Sequence, residues 1–359
     1  MNQNLHIVAG ERALQHIQEK GLQPEHISMM LGASGGPKWF VLSRLDQYLG
    51  RDFLSQTQQP INLIGSSIGA MRMACHAMAE PDKAIQRLED AYVASAYDHT
   101  TTPKDVTDSA EVMIKHFLGD TGIDEIINNG HFNLNVVTAR AKGWGASDDR
   151  LKQLASVMTS AATNLVSRRA FLSFYERVIF AKEFAASPFR ELTGVKGRIC
   201  QLSADNTLQA LMASGAIPLV LEGVRNIMGA PEGTYRDGGM IDYHFDLPLN
   251  TAPGLILYPH FAPMLKPGWF DKGLKWRTVS KANYADVVLI TPTQSFIDRL
   301  PYGKIPDRGD FEKLETGIRQ KYWKTAIAQG QALADDFAEL VSNNTMGNVV
   351  KPLDPKALS

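Results

Sequence analysis

The chain has 359 residues, of which 44% are apolar, and its formal net charge is −1. A net charge so close to zero excludes an overall field that would steer the protein to nucleic acid or to an anionic membrane. No apolar run approaches the 18 residues expected of a membrane-spanning helix, and the first ten residues lack the pattern of a secretory signal. Cys75 and Cys200 are too few for a disulfide framework or a zinc site. We therefore expect a cytoplasmic, enzyme-sized protein without a metal.

A glycine-rich turn follows the first predicted core strand. Residues 27–31 predict a buried strand that runs into Gly32-Ala33-Ser34-Gly35-Gly36-Pro37-Lys38-Trp39. Pro37 favours the start of a helix, and the N–H groups of Gly35 and Gly36 suit an anion, either a phosphate or an oxyanion. The turn matches neither glycine-rich nucleotide-binding pattern, so a nucleotide loop is not expected. A plain strand-to-helix turn is the alternative interpretation.

A second strand, Ile61 to Ile64, ends at Gly65-Ser66-Ser67-Ile68-Gly69, which fits the pattern G-x-S-x-G. Small and apolar residues follow it and predict a helix that packs closely on a sheet. Strand, tight turn and helix are the context in which this pattern forms a nucleophile elbow, with Ser67 at the mouth of a site. Gly65 and Gly69 stand where a side chain would collide with a neighbouring element. Because G-x-S-x-G also arises by chance, the motif alone does not assign a catalytic role to Ser67. A second residue that could act together with this serine is needed.

Strand and helix patterns alternate along the rest of the chain. Helical patterns occur at residues 81–96, 151–165 and 311–341, and strand patterns at 133–139, 198–202, 254–258 and 285–290. This alternation predicts an α/β fold with a largely parallel central sheet and helices on both faces. In such folds ligands gather at the carboxyl ends of strands, and both glycine-rich turns lie at such ends.

The region after residue 150 is rich in apolar, aromatic and basic residues. Apolar residues recur at helical spacing from Leu151 to Leu165, and we expect them to face the core. The segment from Phe171 to Phe180 mixes aromatic residues with arginine. Such a segment is typical of a core helix with a solvated edge, and peripheral contact with a membrane is the other interpretation.

A third informative stretch is Asp237-Gly238-Gly239, preceded by the small-residue run from Ala213 to Pro218. Taken alone, Asp-Gly-Gly is also simply a turn. Together with the glycine-rich turn and the G-x-S-x-G motif, in this order, it resembles the patatin-like phospholipase family. That family has a glycine-rich oxyanion loop, a G-x-S-x-G serine and a downstream Asp-Gly-Gly/Ala aspartate. The matching blocks run from about residue 27 to 248, and the segments at 81–196 and after 248 do not align.

The resemblance implies a single three-layer α/β domain over residues 1–359, with a helical insertion at about 81–196. It also implies a serine esterase of lipid degradation that cleaves acyl esters of phospholipids, lysophospholipids or neutral lipids through a catalytic dyad, without a cofactor. Ser67 would be the nucleophile and Asp237 the base. The remaining site residues that it implies are oxyanion-binding Gly35, Gly36, Lys38 and Ile68, and motif-supporting Gly65, Gly69, Gly238 and Gly239.

The sequence departs from the family's loop, which usually reads Asp-Gly-Gly-Gly-x-Arg/Lys-Gly. Ala33 and Ser34 replace the leading Asp-Gly, and Trp39 replaces the last glycine. Pro37 cannot donate an N–H to an oxyanion. The oxyanion donors expected from this loop are therefore reduced to Gly35, Gly36 and Lys38.

Three alternatives stay open at the level of the sequence. A Ser-His-Asp hydrolase would use His260 or His244 in addition to the serine and the aspartate. An acyltransferase would use the same serine, although such relatives usually carry histidine where Ser66 stands. A degenerate hydrolase fold would bind lipid without catalysis. No motif specifies the head group, the acyl chain or the oligomeric state.

Overall fold

The computed structural model describes residues 4–97, 100–191, 197–249 and 253–354. Within these ranges one sheet contains the strands β1 (Leu5–Ala9), β2 (Ile27–Gly32), β3 (Ile61–Ser66), β4 (Phe132–Ala141), β5 (Tyr175–Ala181), β6 (Arg198–Gln201), β7 (Val224–Arg225), β8 (Thr234–Asp237), β9 (Leu255–Pro259), β10 (Val287–Pro292) and β11 (Lys351–Pro352). The helices are α1 (Glu11–Lys20), α2 (Ser43–Tyr48), α3 (Ile68–His76), α4 (Pro81–Ala94), α5 (Pro103–Leu118), α6 (Gly122–Asn128), α7 (Arg150–Val166), α8 (Arg168–Phe171), α9 (Thr207–Gly215), α10 (Gln294–Asp298), α11 (Asp310–Lys313), α12 (Thr316–Gln329), α13 (Gln331–Ser342) and α14 (Met346–Val349).

The central strands of the sheet are parallel and its flanks are mixed. The order along the sheet is β11-β1-β10-β9-β2-β3-β4-β5-β6, with β8 paired to β4 and β7 paired to β8. Neighbouring strands from β10 to β4 run parallel. Strand β1 runs antiparallel to β10, and both β5 and β8 run antiparallel to β4. Helices cover both faces, so the chain has a three-layer α/β fold, which confirms the predicted fold class.

The central strands are apolar because they are covered on both faces. Every residue of β9 and of β10 is buried, and the apolar side chains of these strands belong to one continuous core with those of β2 and β3. Strands of this kind carry near-continuous apolar runs instead of the alternation seen in half-exposed sheets. The core therefore holds the carboxyl ends of β2 and β3 side by side.

The two glycine-rich turns touch where β2 and α3 meet. A Cβ atom on Gly69 would lie 1.8 Å from the carbonyl oxygen of Gly32, and a Cβ on Gly32 would lie 2.5 Å from the carbonyl oxygen of Gly69. Only glycine permits two backbones to approach this closely. The start of α3 is therefore fixed against the end of β2, which positions the G-x-S-x-G turn beside the Gly35-Gly36 turn.

Three expectations about the middle of the chain need correction. The segment 81–196, expected to be a helical insertion, also supplies β4 and β5 to the sheet. The segment from Phe171 to Phe180, expected to be a core helix, is the end of α8 followed by the strand β5, and both phenylalanines are fully buried. The apolar residues of α7 were expected in the core, but Leu151, Met158 and Leu165 are exposed. Within the described ranges, no helix is long and apolar enough to cross a membrane.

Candidate active site

Ser67 lies in a strained turn between β3 and α3. Its backbone has φ 56° and ψ −132°, a conformation that side chains other than glycine rarely adopt. The Ser67 N–H donates to Ser214 Oγ at 2.9 Å, and the Ser214 hydroxyl donates in turn to the carbonyl of Val137 at 2.7 Å. This chain of hydrogen bonds holds the turn against β4. The predicted strand, turn and helix of a nucleophile elbow are all present.

Ser67 and Asp237 are directly hydrogen-bonded. The Ser67 hydroxyl donates to Asp237 Oδ2 at 2.7 Å, and the other carboxylate oxygen accepts the N–H of Gly239 at 2.7 Å. Ser67 is only 3% exposed and Asp237 5%. The Gly239 N–H fixes the carboxylate so that one of its oxygens faces the serine, which is the arrangement a base needs to activate a nucleophile.

Strand β4 sets the register of both residues. Its residue Val137 lies opposite Ser66 of β3, and its next residue, Thr138, lies opposite Asp237 of β8. The serine and the aspartate come from positions 170 residues apart in the chain and meet because β4 pairs with both strands. A shift of either pairing by one residue would turn one of the two side chains to the other face of the sheet.

Burial raises the pKa of Asp237 above its ordinary value. Loss of water around the carboxylate is the largest cause, and it is opposed by the positive charge of Arg308 and by the hydrogen bonds from Ser67 and Gly239. A carboxylate with a raised pKa binds a proton more strongly than an ordinary aspartate. It is therefore a better acceptor for the proton of a serine hydroxyl.

The glycine-rich turn after β2 presents backbone donors beside the serine. Among the described residues, no hydrogen-bond acceptor is found for the N–H groups of Gly35 and Gly36, nor for the N–H of Ile68 at the start of α3. Gly36 has φ 57°, which favours glycine, and a Cβ there would meet the side chain of Arg308. Unsatisfied N–H groups of this kind can hold an anion.

Ser34, which replaces a glycine of the family's loop, has a structural role. Its N–H donates to the carbonyl of Tyr243 at 3.2 Å, and its hydroxyl lies 2.7 Å from the hydroxyl of Ser66. Ser66 is fully buried and donates to the carbonyl of Asp242 at 2.8 Å. These bonds connect the two glycine-rich turns.

A pocket of about 480 Å³ opens above the dyad. Among the predicted site residues, Ser67, Asp237, Gly35, Lys38 and Gly239 line it. Gly36, Ile68, Gly65, Gly69 and Gly238 are not among the residues that line it. One wall is apolar and consists of Val157, Ile217, Pro218, Leu219, Val220, Met240 and Trp269.

Three cations line this pocket: Lys38, Lys272 and Arg308. Within the described ranges none of them forms an ion pair, and the nearby Asp307 pairs with Lys304 instead, at 3.0 Å. The Lys272 ammonium lies 4.2 Å from the centre of the Tyr243 ring. Part of the Lys272 side chain reaches solvent. The pKa of Lys272 is nevertheless lowered to about 7, mainly because the ammonium loses water around it. The charges of Lys38 and Arg308 lower the Lys272 pKa further.

The two histidines of the alternative hydrolase mechanism lie away from the dyad. His244 Nδ1 accepts the N–H of Lys266 at 2.9 Å, and His260 Nδ1 contacts the backbone of Ala262. Neither ring lines the pocket or bonds to Ser67 or Asp237. Burial lowers the pKa of both rings, that of His260 to about 3, so neither is suited to carry a proton at neutral pH.

Sequence patterns missed three residues of this site. Lys272 and Arg308 lie beyond residue 248, where no motif was identified, and Ser214 was noted only as part of a small-residue run. The segment around Lys272 was visibly rich in tryptophan and lysine, a signal of a polar and aromatic surface. No group of three or more His, Cys, Asp or Glu side chains that could hold a metal is found in the described part of the chain.

No family model matches the chain, and no curated protein matches it. Among solved structures, the crystal structure of VipD from Legionella pneumophila is similar, with 12% sequence identity and a TM-score of 0.33. The match covers 74% of this chain and 54% of VipD, so the chain spans about half the length of that protein. At this TM-score the folds share too little for the role of a residue in one to be transferred to the other.

Proposed function

We propose that the protein is a serine acyl hydrolase that cleaves carboxylic esters of lipids, with Ser67 as nucleophile and Asp237 as general base and acid. The observation that carries this proposal is the 2.7 Å hydrogen bond from Ser67 Oγ to a buried Asp237 carboxylate, inside a pocket with an apolar wall. Serine is a weak nucleophile until an adjacent base takes its proton. The direct contact with Asp237, without a histidine between them, favours a two-residue mechanism.

Acylation begins when the Ser67 oxygen attacks the ester carbonyl and its proton passes to Asp237. The carbonyl oxygen becomes negatively charged in the tetrahedral intermediate, and we propose the N–H groups of Gly35, Gly36 and Ile68 as the donors that stabilise it. Each well-aligned donor in a comparable site contributes on the order of 10²–10³ in rate. The intermediate collapses as Asp237 returns the proton to the leaving alcohol, which leaves an acyl ester on Ser67.

Deacylation uses the same groups in reverse. Asp237 accepts a proton from a water molecule, the resulting hydroxide attacks the acyl ester, and the proton returns to Ser67 as the carboxylic acid leaves. Because Asp237 serves as base and acid in turn, its raised pKa assists proton removal without preventing proton return.

The pocket also indicates a class of substrate. Apolar lining residues such as Val157, Leu219 and Met240 suit an acyl chain, whereas Lys38, Lys272 and Arg308 line the same pocket without forming ion pairs. Unpaired cations grouped at a pocket favour a ligand with negative charge. We infer that the preferred ester carries an anionic group, such as a phosphate or a carboxylate, close to the bond that is cleaved.

The experiment that tests the proposal is labelling of the purified protein with a fluorophosphonate and mapping of the adduct by mass spectrometry. We expect the adduct on Ser67, its loss in Ser67→Ala, and a decrease in labelling rate of about 10²–10⁴ in Asp237→Asn. Asp307→Asn is the matched control, since Asp307 lines the same pocket but contacts Lys304, and it should label like wild type. An adduct on another serine, or equal labelling of the Asp237 variant, would refute the dyad.

Hydrolysis and acyl transfer are then separated by product analysis. An ester substrate is incubated with and without added thiol or alcohol acceptors. We expect free carboxylic acid as the main product in both cases. Transfer to the acceptor as the dominant product would assign the same serine to an acyltransferase.

A further inference from the structure

Helix α7 has its polar side inside and its apolar side outside. The residues that it buries are Gln153, Ser156, Ser160 and Asn164. The opposite side carries apolar residues at the same helical spacing, of which Leu151 is 77% exposed, Met158 64% and Leu165 53%. A surface helix of a globular protein normally buries its apolar stripe, so this arrangement is the reverse of the usual one.

Directed polar contacts fix α7 in this orientation. Gln153 accepts the N–H of Leu219 at 2.8 Å, and Asn164 donates to Asp271 at 2.7 Å. Ser156 and Ser160 lie beside the hydroxyl of Tyr175. Rotating the helix to bury its apolar side would break these contacts and leave buried polar groups without partners, which is costly. The exposed apolar side is therefore built into the fold.

This apolar surface continues into the wall of the pocket. Val157 of α7 lines the pocket, and so do Val220 and Trp269, which are themselves partly exposed. Trp144 and Trp276 are exposed nearby: Trp144 lies in the turn packed on α7, and Trp276 precedes Arg277, which bonds to the carbonyl of Asn164. We use the term outer face of α7 for its exposed apolar residues Leu151, Leu154, Met158, Ala161, Ala162, Leu165 and Val166.

The outer face of α7 is bordered by positive charge. Six basic residues are exposed on α7, just after it, and in residues 262–281, which pack against α7 through Asp271. They are Arg150, Lys152, Arg169, Lys272, Lys275 and Lys281. The exposed acidic residues Asp148 and Asp149 lie at the N-terminal end of the helix. Tryptophan with lysine and arginine around an apolar stripe is the composition of a helix that lies in a lipid interface.

We propose that the outer face of α7 docks on an anionic lipid surface and brings the pocket mouth to that surface. A lipid surface accounts for the apolar residues, the tryptophans and the basic border together. A second copy of the chain fits less well, because two such basic surfaces would repel each other. The proposal rests on the proposed function, since it supplies the route by which a lipid ester reaches Ser67.

The test is cosedimentation with vesicles of phosphatidylcholine, with and without phosphatidylserine. We expect wild type to bind the mixed vesicles and to bind pure phosphatidylcholine more weakly. The double variant Met158→Gln and Leu165→Gln should lower the bound fraction at limiting lipid by about tenfold or more, because two exposed apolar side chains no longer enter the interface. Ile318→Gln, which replaces an exposed apolar residue on α12, should bind like wild type.

Hydrolysis of a short soluble ester separates this proposal from the proposed function. All variants should retain wild-type turnover on that ester, whereas only the double variant should lose turnover on vesicle lipid. Intact soluble turnover with no vesicle binding by wild type, or with equal binding by the double variant, would refute docking alone. Absence of soluble turnover in every protein would instead refute the hydrolase. A wild-type dimer that the double variant dissociates would assign the face to a second copy.

Discussion

In the proposed mechanism the Ser67 proton passes directly to Asp237 along a single hydrogen bond. A histidine relay would place the proton on an imidazole, whose ordinary pKa is near neutrality. Here the proton moves to a buried carboxylate, and its affinity is set by burial, by Arg308 and by the Gly239 N–H. The acid limb of the activity profile therefore reports directly on the surroundings of one side chain.

The first prediction is a pH dependence governed by Asp237. The base must be deprotonated, so kcat/KM for a neutral soluble ester should rise with pH and level off above the Asp237 pKa. Because burial raises this pKa, the rise should be centred above the ordinary aspartate value of 3.8. Arg308→Gln removes a charge that lowers the pKa, so it should move the rise to higher pH.

Stopped-flow or plate assays across the acid and neutral range measure this profile. Arg51→Gln is the control, since Arg51 is exposed and pairs with Asp52, and its profile should match wild type. A profile that shifts to lower pH in Arg308→Gln would mean that Asp237 is not the titrating base.

Single residues were predicted unequally well. Ser67 and Asp237 could be proposed from the sequence because each sits in a short pattern whose neighbours are fixed by backbone geometry: glycines where Gly69 meets Gly32 and where Gly239 donates to the carboxylate. Lys272 was not found, because a lysine that lines a pocket needs only to be near in space. Its position depends on the tertiary packing of a loop, which leaves no local pattern.

At the scale of elements, the contact between α3 and β2 determines whether the serine reaches the aspartate. Our second prediction is that Gly69→Ala destabilises the protein by about 1–3 kcal/mol or more, since its Cβ would lie 1.8 Å from a backbone oxygen that cannot rotate away. The displaced helix should also carry Ser67 away from Asp237 and lower fluorophosphonate labelling.

Urea unfolding followed by circular dichroism measures the loss of stability. Gly130→Ala is the matched control, because a Cβ at Gly130 meets no atom within 4 Å, and its midpoint should change little. Equal midpoints for the two variants would contradict the close approach of α3 and β2.

Helix α7 shows how a correct element can be assigned the wrong face. Leu151, Leu154 and Leu165 repeat at helical spacing, and the repeat correctly predicted a helix. The polar residues Gln153 and Asn164 repeat with the same period on the opposite side, so periodicity alone cannot say which side is buried. The usual assumption that the apolar side is buried failed here because the partners of the polar side lie far away in sequence.

At the scale of the whole molecule, charge is distributed unevenly although its sum is almost zero. Our third prediction concerns a matched pair of soluble esters, one anionic and one neutral. The ratio of their kcat/KM values should favour the anionic ester below pH 7 and decline above it, because Lys272, with a pKa of about 7, loses its positive charge as the pH rises. Added salt should reduce the same ratio.

Lys272→Gln should raise KM for the anionic ester by about 3- to 10-fold and leave the neutral ester unchanged. Lys324→Gln on α12, an exposed lysine outside the pocket, is the control and should resemble wild type. A neutral ester preferred at every pH would contradict the inferred substrate class.

The sequence predicted the layered architecture better than the order of its strands. Alternating strand and helix patterns suffice for a parallel α/β core, because such strands need helices between them. The antiparallel pairing of β1 with β10 joins segments that are more than half of the chain apart. The antiparallel pairing of β4 with β8 also joins segments that are separated by a long connection. No residue pattern specifies such partners. Likewise, the long helix predicted at 311–341 is divided into α11, α12 and α13.

The position of β4 between β3 and β8 has a consequence for how the chain folds. Ser67 and Asp237 meet only after β4 has paired on both sides, and the two residues are 170 positions apart. Contacts of such long sequence separation form late, because loop closure costs entropy before the contact offsets it. During refolding, secondary structure should therefore appear before esterase activity. The proposed esterase activity would then mark the last long-range step of folding.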